Sequence, residues 1–323
     1  MEVANSIDDE NQRRDRLPER RPTTRIHMPS TAPSVTVIGL GPMGQAITQA
    51  LLNAGTAVTV WNRTPRKADG MAALGAKRAE TVAEALDAND VAILSLTHYQ
   101  AMYDVLSHAA GHLSGKTIVN LSSDSPQKTR AGARWVLDHG GSFLTGAFMS
   151  QGDDITHPLS YVFYSGPDEV FRAVMDLLIP LSPAEYLGAD YGLAQLYYQG
   201  LLTIFHPFVL AYEQALATIG QSGGDVDRFT PYARRFMDSI KDFMDYFTAE
   251  AKNGGWGDVA SLRMMHAGAQ HVIDTSNDAG VAPPLTHTVQ DVYARAIAAS
   301  TEARPVRSYE LISEVELSSG KRP

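Results

Sequence analysis

Two changes of rhythm along the chain predict an α/β domain on a doubly wound, mainly parallel sheet, followed by an all-helical domain. From Val35 to about Leu187, short β-branched runs alternate with helical segments: VTVIG, AVTVWN, DVAILSL, KTIVNLS, GSFLTGA and LSYVFYSG. Strands separated by helices imply parallel pairing through crossovers. After Gly188 long helical patterns follow without a strand signal between them. A third observation places the ligand end of the sheet: Gly39, Gly41 and Gly44 form G-x-G-x-x-G directly between the first strand and the first helix.

Composition bounds the partners. With 323 residues, 44% of them hydrophobic, the chain can bury the cores of two domains. A net charge of -9 provides no basic field for a nucleic acid or an anionic membrane surface, so a small molecule is the expected partner. Cysteine is absent, which excludes disulfides, zinc-thiolate sites, iron-sulfur clusters and thiol nucleophiles. The longest apolar run, Gly200 to Tyr212, is too short to span a bilayer and is interrupted by His206 and Pro207. The cytoplasm is the expected compartment.

Residues 1–33 mix both charges with proline and lack apolar periodicity, so they read as a disordered tail. Acids at Asp8, Asp9, Glu10, Asp15 and Glu19 interleave with the arginines, against a transit peptide. The nucleotide domain is expected over 34–188, the helical domain over 189–316, and a frayed end over 317–323.

The first strand and its turn carry a dinucleotide (Rossmann) fingerprint. The first glycine makes the tight turn, the second lets a pyrophosphate approach the backbone, and the third lets helix and strand pack closely. Leu40, Pro42 and Met43 complete this loop, and the helix start offers free N–H groups and a positive dipole end to phosphates.

The second strand ends in WNRTPRK, where an Asp or Glu would grip the ribose 2′-hydroxyl of NAD. Asn62, Arg63 and Thr64 stand there instead, followed by Arg66 and Lys67. An acid repels a 2′-phosphate, whereas a guanidinium hydrogen-bonds it and stacks on adenine. The expected cofactor is therefore NADPH; a solvated charge cluster is the plainer reading.

Two later strand ends can reach the cofactor with small polar groups: Ser95, Leu96 and Thr97 in SLTHYQ, and Asn120 and Ser122 in NLSSDSP. Turn or N-cap roles for Ser122, Ser123 and Ser125 fit the same residues. Farther on, YGLAQLYYQGLLTIFHPFVLAYEQALATIG exceeds ordinary helix length and contains Pro207. Its missing N–H deprives the Thr203 carbonyl of a donor, which predicts a kink.

GLGPMG, WNRTPRK, NLSSDSP, YSGP, LGADYGLAQLYYQGLLT and SLRMMHAGAQHVID followed by AGV together resemble the imine reductases and reductive aminases, a branch of the β-hydroxyacid dehydrogenase superfamily. The likeness covers nearly all of the chain after the tail, and LYYQ is its most specific part. The wider superfamily uses a lysine at the start of the interdomain helix, but no lysine occurs here between Lys128 and Lys241. In the branch that this chain resembles, aspartate or tyrosine replaces it. On that register Tyr198 takes the position, or Tyr197 if the register slips by one.

The resemblance implies reduction of a C=N bond by NADPH, reductive amination of a carbonyl with an amine, and an interlocked homodimer. It implies a substrate pocket that includes Ser123, Met149, His206, Trp256, Met264 and Met265. SQGDDITHP is more polar than the loop found there in relatives, and His206 stands where some have tyrosine; both bear on the substrate. Plain packing is the competing reading for Tyr198, His206 and the methionines, and a loop anchor for Trp256. His271, in AGAQHVID, is a weaker candidate, and no grouping has metal-ligand spacing, so no metal is expected.

A C=N carbon accepts hydride only when its nitrogen is protonated or strongly hydrogen-bonded. A phenol in a dry pocket can donate that bond, although a free pKa of about 10 makes it a poor full proton donor. Two rival functions remain open to the sequence: an NADP-dependent hydroxyacid-type dehydrogenase with a non-lysine base, and a non-catalytic NADPH sensor.

Overall fold

A computed structural model describes residues 33–150, 154–252, 259–301, 306, 308, 310 and 311. The expected tail up to residue 32, Trp256, the Gln151–Asp153 part of SQGDDITHP and the frayed C-terminus lie outside the described residues. The chain divides into two compact units, Met1–Gln195 and Leu196–Pro323.

The first unit runs β1 (Ser34–Ile38), α1 (Pro42–Asn53), β2 (Ala57–Trp61), α2 (Pro65–Ala72), β3 (Lys77–Arg78), α3 (Val82–Ala88), β4 (Val91–Leu94) and α4 (Tyr99–Leu106). A 3-10 turn (Ser107–His112) then leads to β5 (Thr117–Asn120), α5 (Pro126–Asp138), β6 (Ser142–Met149), β7 (Tyr161–Ser165), α6 (Asp168–Leu178) and β8 (Ala184–Tyr186). One sheet results, in the order β3-β2-β1-β4-β5-β6-β7-β8. The order reverses between β1 and β4, which opens the switch-point crevice where doubly wound sheets bind ligands.

Alternation along the strands sends side chains to two buried faces. Val35, Val37, Ile93 and Val119 join one core with Ile47 and Leu51 of α1, while Ile38, Leu94 and Ile118 join the other with Tyr99, Met102 and Leu106 of α4. Ile93 is fully buried, and its truncation to Ala would cost about 2–5 kcal/mol.

The sheet is mainly parallel, as expected; the exception is β7, which pairs antiparallel with β6 from Thr145↔Ser165 to Met149↔Tyr161. The described part of the β6–β7 connection contains no helix, and without a helical crossover the chain returns beside the strand it has just left. β3 and β8, two and three residues long, are too short to show a period-two pattern.

The second unit is helical: most of α7 (Leu193–Gln221), then α8 (Val226–Lys252), α9 (Val259–Asp278) and α10 (Pro284–Ala299). α7 continues through Pro207 as one element. Tyr212 of α7 hydrogen-bonds Thr230 of α8 at 3.2 Å. Gln214 Nε2 donates to Ser276 of α9 at 3.2 Å and to Thr286 of α10 at 3.3 Å. No helix among the described residues is long and apolar enough to cross a membrane.

Candidate active site

The glycine turn can be tested atom by atom. Gly39 has φ +98°, and a Cβ there would overlap the Ser95 carbonyl and the Leu96 side chain. A Cβ on Gly44 would overlap the Gly39 carbonyl. Gly41 differs, because nothing lies within 4 Å of where its Cβ would be. Two glycines are thus required by the fold itself, while the third guards open space against which a phosphate can lie. Gly41 is also the N-cap of α1 and supplies no side-chain oxygen, and Pro42 occupies the first turn, so the helix end stays available to an anion.

That turn borders a cleft of about 410 Å³. Gly39, Leu40, Gly41, Pro42 and Met43 form its floor side, Asn62, Arg63, Thr64 and Lys67 come from the end of β2, and Ser95, Leu96 and Thr97 come from the end of β4. Twelve of the fifteen residues expected to bind cofactor therefore meet in one place. Trp61, Ala101, Asp104 and Val105 also line the cleft; α4 contributes three of these, and the sequence offered no motif to single them out.

Gly44, Asn120 and Ser122 stand behind the cleft, buried. Ser122 Oγ accepts the Leu96 N–H at 3.1 Å, and Asn120 Oδ1 accepts the Ser122 N–H at 2.9 Å. These side chains fix the β4 and β5 loops against one another. Ser125 caps α5, its Oγ accepting from the Lys128 N–H at 3.4 Å.

The charge pattern suits a phosphorylated ligand. Arg63, Arg66 and Lys67 are exposed and make no ion pair among the described residues, so their charge remains available. Asn62 is engaged differently: its Oδ1 accepts the Leu40 N–H at 2.9 Å and its Nδ2 donates to the Thr64 carbonyl at 3.0 Å. The sequence carries no acid at the end of β2, and among the described residues the one acid lining the cleft is Asp104, whose Oδ1 accepts from Gln100 at 2.9 Å.

In the loop after β5, burial pushes the Asp124 carboxyl up, but the Ser125 N–H, the Lys128 ammonium and the Tyr99 N–H outweigh it and hold the group below its ordinary range. Asp190, just before α7, is held down to about 2 chiefly by its hydrogen bonds from Arg130. The guanidinium grips it twice, Nε at 2.7 Å and a terminal nitrogen at 2.6 Å.

The remaining expected site residues are placed within their own units. Ser123 follows β5 and Met149 ends β6, both half-buried. Tyr198 is half-buried on α7, whereas Tyr197 is 53% exposed. His206 is exposed on the same helix, Met264 is 71% exposed on α9, and Met265 beside it is half-buried.

Comparison with known proteins matches both parts of the chain. Residues 34–188 match the NAD binding domain of 6-phosphogluconate dehydrogenase, and residues 190–314 match the NADPH-dependent reductive aminase-like C-terminal domain. An imine reductase from Bacillus cereus is 40% identical with a TM-score of 0.77, over 89% of this chain and 99% of that one. A reductive aminase from Aspergillus terreus, solved in complex with NADPH and ethyl levulinate, is 26% identical with a TM-score of 0.81, over 88% of this chain and 100% of that one. The NADPH-dependent reductive aminase of Aspergillus oryzae is 29% identical over 269 residues, 81% of this chain and 91% of its own length.

Proposed function

The chain belongs to the imine reductase and reductive aminase family, and from that premise we propose that it is an NADPH-dependent oxidoreductase that reduces C=N bonds to amines and couples carbonyls with amines. The observation that carries the cofactor choice is the end of β2, where Asn62 is engaged with the glycine turn and Arg63 lines the cleft and makes no ion pair among the described residues. When bound, NADPH supplies the hydride, from C4 of its reduced ring to the carbon of the C=N bond.

The chain's own residues do the rest. Gly41 leaves room for the pyrophosphate, and the α1 terminus offers it N–H groups. Arg63 takes the 2′-phosphate, with Thr64 and Lys67 beside it. Ser95, Leu96 and Thr97 border the path from the adenosine half towards the ring. Tyr198 is the residue assigned to the substrate nitrogen, donating a hydrogen bond that keeps the iminium oriented and electron-poor. Ser123, Met149, His206, Met264 and Met265 are assigned to the walls of the substrate pocket, and Trp256 is carried in that set from the sequence.

The helical unit is read as the dimerisation surface. On α7, Ile204 and Phe205 are 56% and 53% exposed, and on α8, Tyr232, Phe236 and Tyr246 are 59%, 63% and 54% exposed. A groove of about 970 Å³ between these two helices is lined by Tyr232 and Phe236 together with Phe208, Phe229 and Met237. Apolar faces of this extent call for cover, and a second copy of the chain, interlocked with the first, supplies it in this reading. The cytoplasm is the compartment proposed for this reaction, in keeping with the absence of a membrane-spanning helix among the described residues. The test of function is NADPH consumption against a panel of cyclic imines and carbonyl/amine pairs, with mass in solution measured alongside: turnover by a dimer supports the reading, and NADPH binding without turnover on any member opposes it.

A further inference from the structure

Gln195 is fully buried in the first turn of α7, and a buried amide persists only where its polar atoms find partners. Its Nε2 donates to the Ser122 carbonyl at 3.1 Å and to the Gly146 carbonyl at 3.2 Å. Its Oε1 accepts the Asp124 N–H at 3.3 Å. Those contacts fall where the sheet opens. The β5–β6 ladder ends at Asn120↔Thr145, so the Ser122 and Gly146 carbonyls lie just past the last strand pair, and one side-chain amide bridges them.

The bridge continues towards the cleft. Ser122 Oγ receives the Leu96 N–H at 3.1 Å, and Asp124 Oδ2 receives the Tyr99 N–H at 3.2 Å. The loop after β4, which lines the cleft through Ser95, Leu96 and Thr97, thus hangs on the loop after β5, which hangs on Gln195. With the 2′-phosphate end of a dinucleotide at β2, its other half runs over β4 and β5. Three residues beyond Gln195, nearly one helical turn, is Tyr198.

We propose that Gln195 is a positioning residue: it sets the two strand-end loops under the nicotinamide half of NADPH and fixes the start of the helix that carries Tyr198. This rests on the reading of the chain as an NADPH-dependent imine reductase. The prediction is a split between the two ends of the cofactor, since Arg63 and the glycine turn make none of these contacts.

The experiment compares wild type with Gln195→Met, which keeps the length and removes all three hydrogen bonds, and Gln195→Ala. Binding of 2′,5′-ADP, which lacks nicotinamide, is measured beside the emission of bound NADPH and the kcat and KM for a cyclic imine. Expected are 2′,5′-ADP affinity within about threefold of wild type, loss of the emission gain on binding, and kcat lowered about tenfold or more with little change in KM. Unchanged emission and kcat overturn the proposal. So does a uniform loss of 2′,5′-ADP binding, NADPH binding and melting temperature, or failure of both variants to fold, since each assigns Gln195 to general stability. If wild type reduces no imine, the proposed function fails, while the contrast between 2′,5′-ADP affinity and emission still decides the role of Gln195.

Discussion

The Leu40 N–H donates to Asn62 Oδ1 at 2.9 Å, so the side chain at the end of β2 is tied into the glycine turn and is not offered to a ribose. This bond joins the glycine turn to the loop after β2, and in the proposed reading the contact with the 2′-position falls to the next residue, Arg63. An acid in place of Asn62 could accept the same N–H, but would carry a negative charge beside any 2′-phosphate.

Arg63→Ala is therefore expected to weaken NADPH binding by about 10- to 100-fold, in line with loss of a charge-assisted hydrogen bond, and to change NADH binding far less. Titration of both nucleotides by fluorescence checks this. Equal losses would remove Arg63 from the discrimination.

The three glycines should separate in their effects. Gly44→Ala and Gly39→Ala must displace backbone, and Gly39 also needs its positive φ, so each should cost about 1–3 kcal/mol of stability. Gly41→Ala meets open space; its melting temperature should match wild type while its affinity for NADPH falls. Thermal melts with and without nucleotide distinguish these outcomes.

Tyr198→Phe removes one hydroxyl and keeps the ring. Turnover of a cyclic imine should fall about 10- to 100-fold with NADPH affinity retained, as expected for loss of a positioned donor. Unaltered rate and unaltered stereochemical outcome would remove Tyr198 from the mechanism and bring Tyr197 forward.

The Arg130–Asp190 pair gives a pH signature. The folded pKa of Asp190, about 2, lies below the ordinary value of about 3.9, so the pair's contribution is present above about pH 4 and is lost as pH falls through 2. The side chains are 39% and 44% exposed, and screening limits the effect to about 1 kcal/mol or less. Melting curves between pH 5 and 2 should show Asp190→Asn losing less stability than wild type over that window; identical slopes would contradict the assignment.

Much of this was legible in the sequence because it rests on local pattern. The six long strands announce themselves by β-branched runs, and Gly39, Gly41 and Gly44 by spacing. β3 and β8 are too short to do so, and the reversal at β7 depends on what connects it to β6, which periodicity does not report. The site divides in the same way. Arg63 could be named from its place after β2, whereas Ala101, Asp104 and Val105 reach the cleft through packing of α4 beside the turn. Asn120 and Ser122 were recognisable as strand-end residues, but the role of Ser122 as a strut behind the cleft depends on a bond to a residue far away in the chain, as does the burial of Gln195.

The central claim is that hydride passes from NADPH to the carbon of a C=N bond. Its most direct test uses NADPH deuterated at C4 with a cyclic imine, followed by mass spectrometry and NMR of the product. The account predicts one deuterium, on the former imine carbon of the amine, when the transferred face carries the label. Amine without label from either face, or oxidation of NADPH with no amine formed, would contradict it.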